Sequence, residues 1–172
     1  MKRLFDIASK CIPIGSSNNS FGTIAAGGNG QGTNSNQLYE PIGIHFDAIS
    51  NSLFIANFGA NNVVRWTLGA SNWEIIAGNE NGTSSTTSTG FSRTTNVVLD
   101  PMGNVYIVDY GNHRIQFFSV GERNGTTIAG MTGMIGSNAT LFNFPFSMTL
   151  DNQLNLYVSD RNNNRVQKFM RY

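Results

Sequence analysis

Along residues 97–130 the apolar positions fall into four short runs separated by polar turns. Val97-Val98-Leu99 leads into Asp100-Pro101-Met102-Gly103, which has what a type I turn asks for: Asp first, Pro preset at the second position, Gly at the fourth. Val105-Tyr106-Ile107-Val108 is β-branched and aromatic, which predicts a pleated, half-buried strand. Asp109-Tyr110-Gly111-Asn112 interrupts it. Ile115-Gln116-Phe117-Phe118 resumes extended character, and beyond a turn over 119–124 the run Thr126-Thr127-Ile128-Ala129 is the fourth. No stretch carries the longer period of a substantial helix.

The same unit occurs about three times. The turn Asp recurs as Asp47, Asp100 and Asp151, at steps of about 53 and 51 residues. The strand after it recurs as Leu53-Phe54-Ile55-Ala56, Val105-Tyr106-Ile107-Val108 and Leu156-Tyr157-Val158-Ser159, each closed by Asn57, Asp109 or Asp160. Ala26-Gly27, Ala77-Gly78 and Ala129-Gly130 match, and Pro41 and Pro145 match with Thr94 between them. A fixed period near 50 residues with four strands per unit predicts an all-β fold of propeller blades. The copies are placed at about 22–68, 73–120 and 126–172. Residues 1–21 form an N-terminal segment in which Cys11-Ile12-Pro13-Ile14 has the position of a remnant strand from a preceding blade.

These residues resemble the NHL-repeat family. The second copy supplies Asp100, Gly103, Tyr106, Asp109, Asn112, Arg114 and Ile115; the third supplies Pro145, Asp151, Tyr157, Asp160, Asn163, Arg165 and Val166. The first supplies Pro41, Gly43, Asp47, Asn57 and Asn61, with Val63 standing where the family has Arg. The resemblance implies a partial, about three-blade β-propeller of NHL type with four antiparallel strands per blade. Propellers of this family close with about six blades, so three copies make about half a ring. Three arrangements are open: the chain is part of a longer protein, two copies complete one ring by self-association, or the blades stand as an arc.

Composition narrows the function classes. Only 12% of the 172 residues are charged and the net charge is +1, which argues against a strongly basic nucleic-acid surface. No apolar run approaches the length of a membrane span, so membrane insertion is not expected. Cys11 is the single cysteine and leans towards a reducing compartment, whereas the sequons at Asn18, Asn81, Asn124 and Asn138 lean the other way; localisation stays open.

Few residues carry chemistry. Asp109 with Arg114 and Asp160 with Arg165 share a spacing of five across a tight turn, as expected of structural turn pairs. Both partners are missing together at Asn57 and Val63. Asp47, Asp100 and Asp151 are turn residues that could also offer oxygens to a ligand or cation, although one per blade sets them apart. His45 and His113 have no companions at metal-ligand spacing, and no nucleophile–base pair is recognisable. No catalytic residue, metal site or cofactor is therefore assigned. Arg161, Arg165, Lys168 and Arg171 make the last strand region basic. Phe54, Tyr106 and Tyr157 hold equivalent positions, as expected of packing between blades.

The expected function is a non-catalytic propeller interaction module or scaffold with a protein partner. RNA, which the resemblance implies through the NHL propellers of some tripartite-motif proteins, is the weaker partner. Two alternatives also follow from the resemblance. One is part of a metal-dependent lyase or lactonase propeller. The other is the recognition part of a tripartite-motif-like ubiquitin ligase.

Overall fold

Three antiparallel sheets succeed one another along the chain in the computed structural model, which describes residues 22–171. Sheet 1 contains β1 (Pro41–Asp47), β2 (Ser52–Asn57), β3 (Asn62–Thr67) and β4 (Glu74–Gly78), paired in that order. Sheet 2 repeats it with β5 (Thr94–Leu99), β6 (Val105–Asp109), β7 (Arg114–Phe118) and β8 (Thr126–Gly130). Sheet 3 has β9 (Pro145–Leu150), β10 (Leu156–Asp160) and β11 (Arg165–Phe169). No helix of the described residues is long and apolar enough to cross a membrane.

The local rules act as the residues dictate. The amide of Gly103 donates to the carbonyl of Asp100 at 2.9 Å, closing the turn that Asp-Pro-Met-Gly encodes. Between the second and third strands of each sheet lies a single 3-10 turn: Phe58–Ala60, Tyr110–Asn112 and Arg161–Asn163. Each ends on a left-handed residue, Asn61 (φ 52°), His113 (φ 58°) or Asn164 (φ 52°). Asn tolerates this conformation better than most residues because its short side chain bonds locally.

Side-chain alternation sets two faces on every sheet. Phe54, Ala56 and Val63 of sheet 1 pack with Val97, Val105, Ile107 and Phe118 of sheet 2 and with Phe91 from the loop between them. Val108 and Ile115, from the opposite face of sheet 2, pack with Met148, Leu156 and Val158 of sheet 3 and with Phe142 from the next loop. The outer half of sheet 1's other face buries Ile55, Val64, Trp66 and Trp73 beneath Ala26 and Leu38. Its inner half, from Ile42 through Ile44 to Phe46, is 45–65% exposed. The corresponding outer face of sheet 3 is different in kind. Ser147, Thr149 and Lys168 are exposed there, and the Ser159 hydroxyl accepts from the amide of Ser147.

The sheets are phased differently from the sequence copies. The Ala-Gly run placed at the head of each copy is the fourth strand of the preceding sheet: Ile75 pairs with Val64, and Thr127 with Gln116. The sheets therefore span 41–78, 94–130 and 145–169. Thr23–Ala26, the run ahead of Gly27 in the first copy, is not a strand here, whereas its counterparts β4 and β8 each pair with the third strand of their own sheet. The segment of 1–21 read as a remnant strand lies outside the described residues. By the same phasing β11 corresponds to β3 and β7, and sheet 3 has three strands rather than four.

Gly43 lies on the sheet 1 face that meets sheet 2. A Cβ there would sit 2.5 Å from the carbonyl oxygen of Thr95 and 2.7 Å from the Cα of Asn96, both backbone atoms. Replacing Gly43 with Ala is expected to destabilise the protein by about 1–3 kcal/mol through overpacking, measured by equilibrium denaturation. An unchanged midpoint would mean that the sheets separate easily at their inner strands.

Candidate functional site

Asp109 and Arg114 form an ion pair of 2.8 Å between Nε and Oδ2, with the two side chains 0% and 3% exposed. The carboxylate also accepts from the amide of Ser92 and from Asn112 Nδ2, each at 2.8 Å. Burial pushes the Asp109 carboxyl up, and these donors, with Arg114, pull against that shift. The guanidinium does more than hold the hairpin. Its two terminal nitrogens donate to the carbonyls of Thr86, Thr87 and Gly90 and to the Thr132 hydroxyl. One side chain thus pins the loop that joins sheet 1 to sheet 2.

Sheet 3 repeats this clamp. Arg165 bonds Asp160 at 2.8 Å and donates to the carbonyls of Ser137, Asn138 and Leu141. Asn163 joins Asp160 to the carbonyl of Gly136, as Asn112 joins Asp109 to that of Ser85. In sheet 1 the pairing register places Asn62, not Val63, opposite Asn57. Val63 is instead fully buried between sheets and corresponds to Ile115. The sequence alignment is therefore one residue out at that point. The Nδ2 of Asn57 and the Oδ1 of Asn62 have no hydrogen-bond partner. The sheet 1 loop is tied by Trp73 instead, whose indole donates to the carbonyl of Gln37 and whose amide donates to that of Ser35.

The turn carboxylates are occupied locally. Asp100 accepts from the amides of Met102 and Asn104 and from the Asn104 side chain, and Asp151 makes the equivalent set with Gln153 and Asn155. Asp47 accepts from Ile49 and from the amide and hydroxyl of Ser50. The Ser50 hydroxyl at Asp47 and the Asn155 side chain at Asp151 hold these two carboxyls below the ordinary range. Asp47 and Asp100 do meet, with His45, at a cleft of about 410 Å³, whereas Asp151 is not part of it. No group of three or more His, Cys, Asp or Glu is placed to hold a metal among the described residues. The basic residues near the end of the chain are not one patch: Arg165 is committed to the clamp, Lys168 lies over the Tyr157 ring, and Arg161 lies over Phe146.

The loop face carries a feature that the sequence reading missed. Tyr110, the first residue of its 3-10 turn, lies 4.8 Å from Phe144, 6.1 Å from Phe146 and 6.3 Å from Phe58, centroid to centroid. Arg93 covers Phe58 at 5.8 Å and Arg161 covers Phe146 at 5.5 Å. The result is a continuous aromatic shelf across three repeats with a guanidinium towards each end. Apart from Phe146, which lies within β9, its members come from two equivalent positions. Phe58, Tyr110 and Arg161 each follow the clamp or turn residue Asn57, Asp109 or Asp160. Arg93 (φ 59°) and Phe144 (φ 54°) each precede the innermost strand of a sheet in left-handed conformation, as does Glu40 (φ 50°) in sheet 1.

Those left-handed residues are held across the joint between repeats. The Asn61 side chain accepts from the amide of Arg93 at 2.7 Å, and His113 Nδ1 accepts from the amide of Phe144 at 3.2 Å. The His113 ring also packs edge-on against Phe144, 4.4 Å between centroids.

The NHL-repeat sequence model matches residues 95–118 and 142–169, so these two stretches are NHL repeats. No curated protein matches it. Among solved structures it is similar to a protein of unknown function from Bacteroides thetaiotaomicron VPI-5482, at 15% identity and TM-score 0.65 over 76% of this chain and 34% of that one. An auxiliary nutrient binding protein from the same organism matches at 20% identity and TM-score 0.58, over 73% and 36%. Streptogramin B lyase matches at 13% identity and TM-score 0.50, over 76% and 37%. At these identities the likeness shows the fold alone. The chain spans little more than a third of the length of these structures.

Two predictions follow from the clamp and the joint. Arg114→Ala leaves a fully buried carboxylate unpaired and should cost about 3–5 kcal/mol, against about 1–3 kcal/mol for Arg165→Ala, whose side chain is 29% exposed. Equal losses in urea denaturation would remove the argument from burial. His113 must be neutral at Nδ1 to accept, and burial lowers its pKa below 6.5, only partly opposed by the Asp160 carboxylate. The unfolded chain then binds the proton more readily. The His113 contribution is complete above pH 6.5 and is lost as pH falls through the folded value. His113→Asn, which copies Asn61, should keep the neutral-pH stability within about 1 kcal/mol and flatten the decline towards pH 5. His45 is shifted the same way and keeps a residual slope in both proteins.

Proposed function

We infer that this chain is a non-catalytic propeller interaction module whose partner is a protein. The observation that carries this reading is the division of labour among its polar groups. The Asp109–Arg114 and Asp160–Arg165 groups are spent on joints between repeats, and Asp47, Asp100 and Asp151 on their own turns. What the loop face presents is the row of Phe58, Tyr110, Phe144, Phe146, Arg93 and Arg161, a surface for contact rather than acid–base chemistry. Aromatic residues and Arg are the side chains enriched at protein interfaces and their energetic centres. The low charge of the chain as a whole supports a protein partner over RNA, since binding to a phosphate backbone rests on many neutralising cations.

Site-specific photo-crosslinking tests this reading. A benzophenone side chain at Phe58 should give saturable crosslinks to a protein in extracts of the source cells, and the same group at exposed Thr126 should not. Equal labelling at both positions, or at neither, would overturn it. In parallel, calcium should leave the melting temperature unchanged. A rise reversed by chelator would support the metal-dependent enzyme reading instead.

A further inference from the structure

We propose that the shelf between Arg93 and Arg161 binds an acidic segment of a partner protein, with an apolar side chain of that segment seated on Tyr110, Phe144 and Phe146 and carboxylates engaging the two guanidiniums. The proposal rests on the interaction-module reading and adds the surface and the chemistry of what it takes.

Charge is the first support. The ion pairs among the described residues are Arg65–Glu74, Arg114–Asp109 and Arg165–Asp160, so neither Arg93 nor Arg161 belongs to one. Both side chains are exposed, and both lie over an aromatic ring. A guanidinium that rests on a ring keeps its in-plane N–H donors free, and these match a carboxylate two at a time. Asp109 and Asp160, the carboxylates nearest in sequence to the shelf residues, are fully buried beneath it and satisfied by their own donors. They leave the surface positive. Exposed Glu40, at the corresponding position in sheet 1, has its carbonyl bonded to the amide of Phe58 and puts a negative charge at that end, which favours an acidic segment over sheets 2 and 3.

Preorganisation is the second support. Tyr110, Phe144 and Phe146 are half-buried and hold one another in place at 4.8 and 6.1 Å. Arg93 and Phe144 stand on left-handed backbone, which L residues adopt only at a cost, and it is fixed by the bonds to Asn61 and His113. Residues so constrained lose little freedom on binding, and aromatic side chains offer much contact area for few rotatable bonds.

The test is selection of a random peptide library displayed on phage against the whole chain, followed by fluorescence anisotropy with the enriched peptides. Enrichment should favour peptides with an aromatic or large aliphatic residue flanked by Asp or Glu. The double variant Arg93→Ala, Arg161→Ala should weaken their binding on the order of tenfold to a hundredfold with an unchanged melting temperature, and Tyr110→Ala should weaken it by about tenfold. Raising salt should weaken the parent and leave the double variant little affected. Peptides without acidic bias, or binding that the double variant leaves intact, would overturn the proposal while the module reading stands. Failure to enrich any peptide would also overturn it, and the crosslinking result then decides the module reading separately. Tighter binding of an oligouridine probe than of any peptide, lost in the same double variant, would assign the shelf to RNA.

Discussion

The structure depends on a guanidinium that finishes two tasks with one set of donors. Arg114 closes the hairpin through Asp109 and, with its remaining nitrogens, collects the carbonyls of Thr86, Thr87 and Gly90 from the loop that precedes its own sheet. Loop carbonyls turned inward without a partner would each carry the cost of a lost hydrogen bond. A planar cation with five donors satisfies several at once, and the buried Asp109 neutralises it. The sheet and the loop that leads into it are therefore one cooperative unit. Sheet 3 has the same device, more exposed on its cationic side.

Around this clamp the apolar layers follow from alternation alone. Phe91 and Phe142 come from the two clamped loops, and both are fully buried between sheets. The clamp sets the loop, the loop delivers its Phe into the core, and the next residues lead into the innermost strand through Arg93 or Phe144. The shelf on the loop face is in this sense the outward side of the same arrangement that fills the interior. A binding surface built on such supports is more sharply defined than one carried by free loops.

Much of this was legible in the sequence because it repeats. Strands, turn Asp residues and the Asp–Arg spacing recur in register, and recurrence separates signal from accident. The parts that escaped do so for physical reasons. The clamp's acceptors are backbone carbonyls, which leave no trace in residue type. Asn62 was passed over because the change from Arg to Asn removed the only marker of its position, and adjacent Val63 and Val64 fit the strand in either alignment. The four runs of 97–130 already have the order of sheet 2, but copy bounds that start at the Ala-Gly run cut each sheet before its last strand, since only hydrogen bonding shows which sheet that strand joins. The shelf could have been found: Phe58, Tyr110 and Arg161 each follow the repeat's Asn or Asp, and Arg93 and Phe144 each precede Thr94 or Pro145. Compared one residue at a time, they look like ordinary turn variation.

The two outer faces of the array carry a last consequence. One offers Ile42, Ile44 and Phe46; the other offers Ser147, Thr149, Ser159 and Lys168, with Val166 the exposed aliphatic residue among them. Were identical copies to meet end to end, hydroxyls and an ammonium would be pressed against aliphatic and aromatic carbon, at about 1–3 kcal/mol for each polar group left unbonded. Inside the chain the corresponding surfaces match apolar to apolar, as Val98, Tyr106 and Val108 do against Met148 and Leu150. The two ends of the array are chemically unlike, so a surface that suits one does not suit the other.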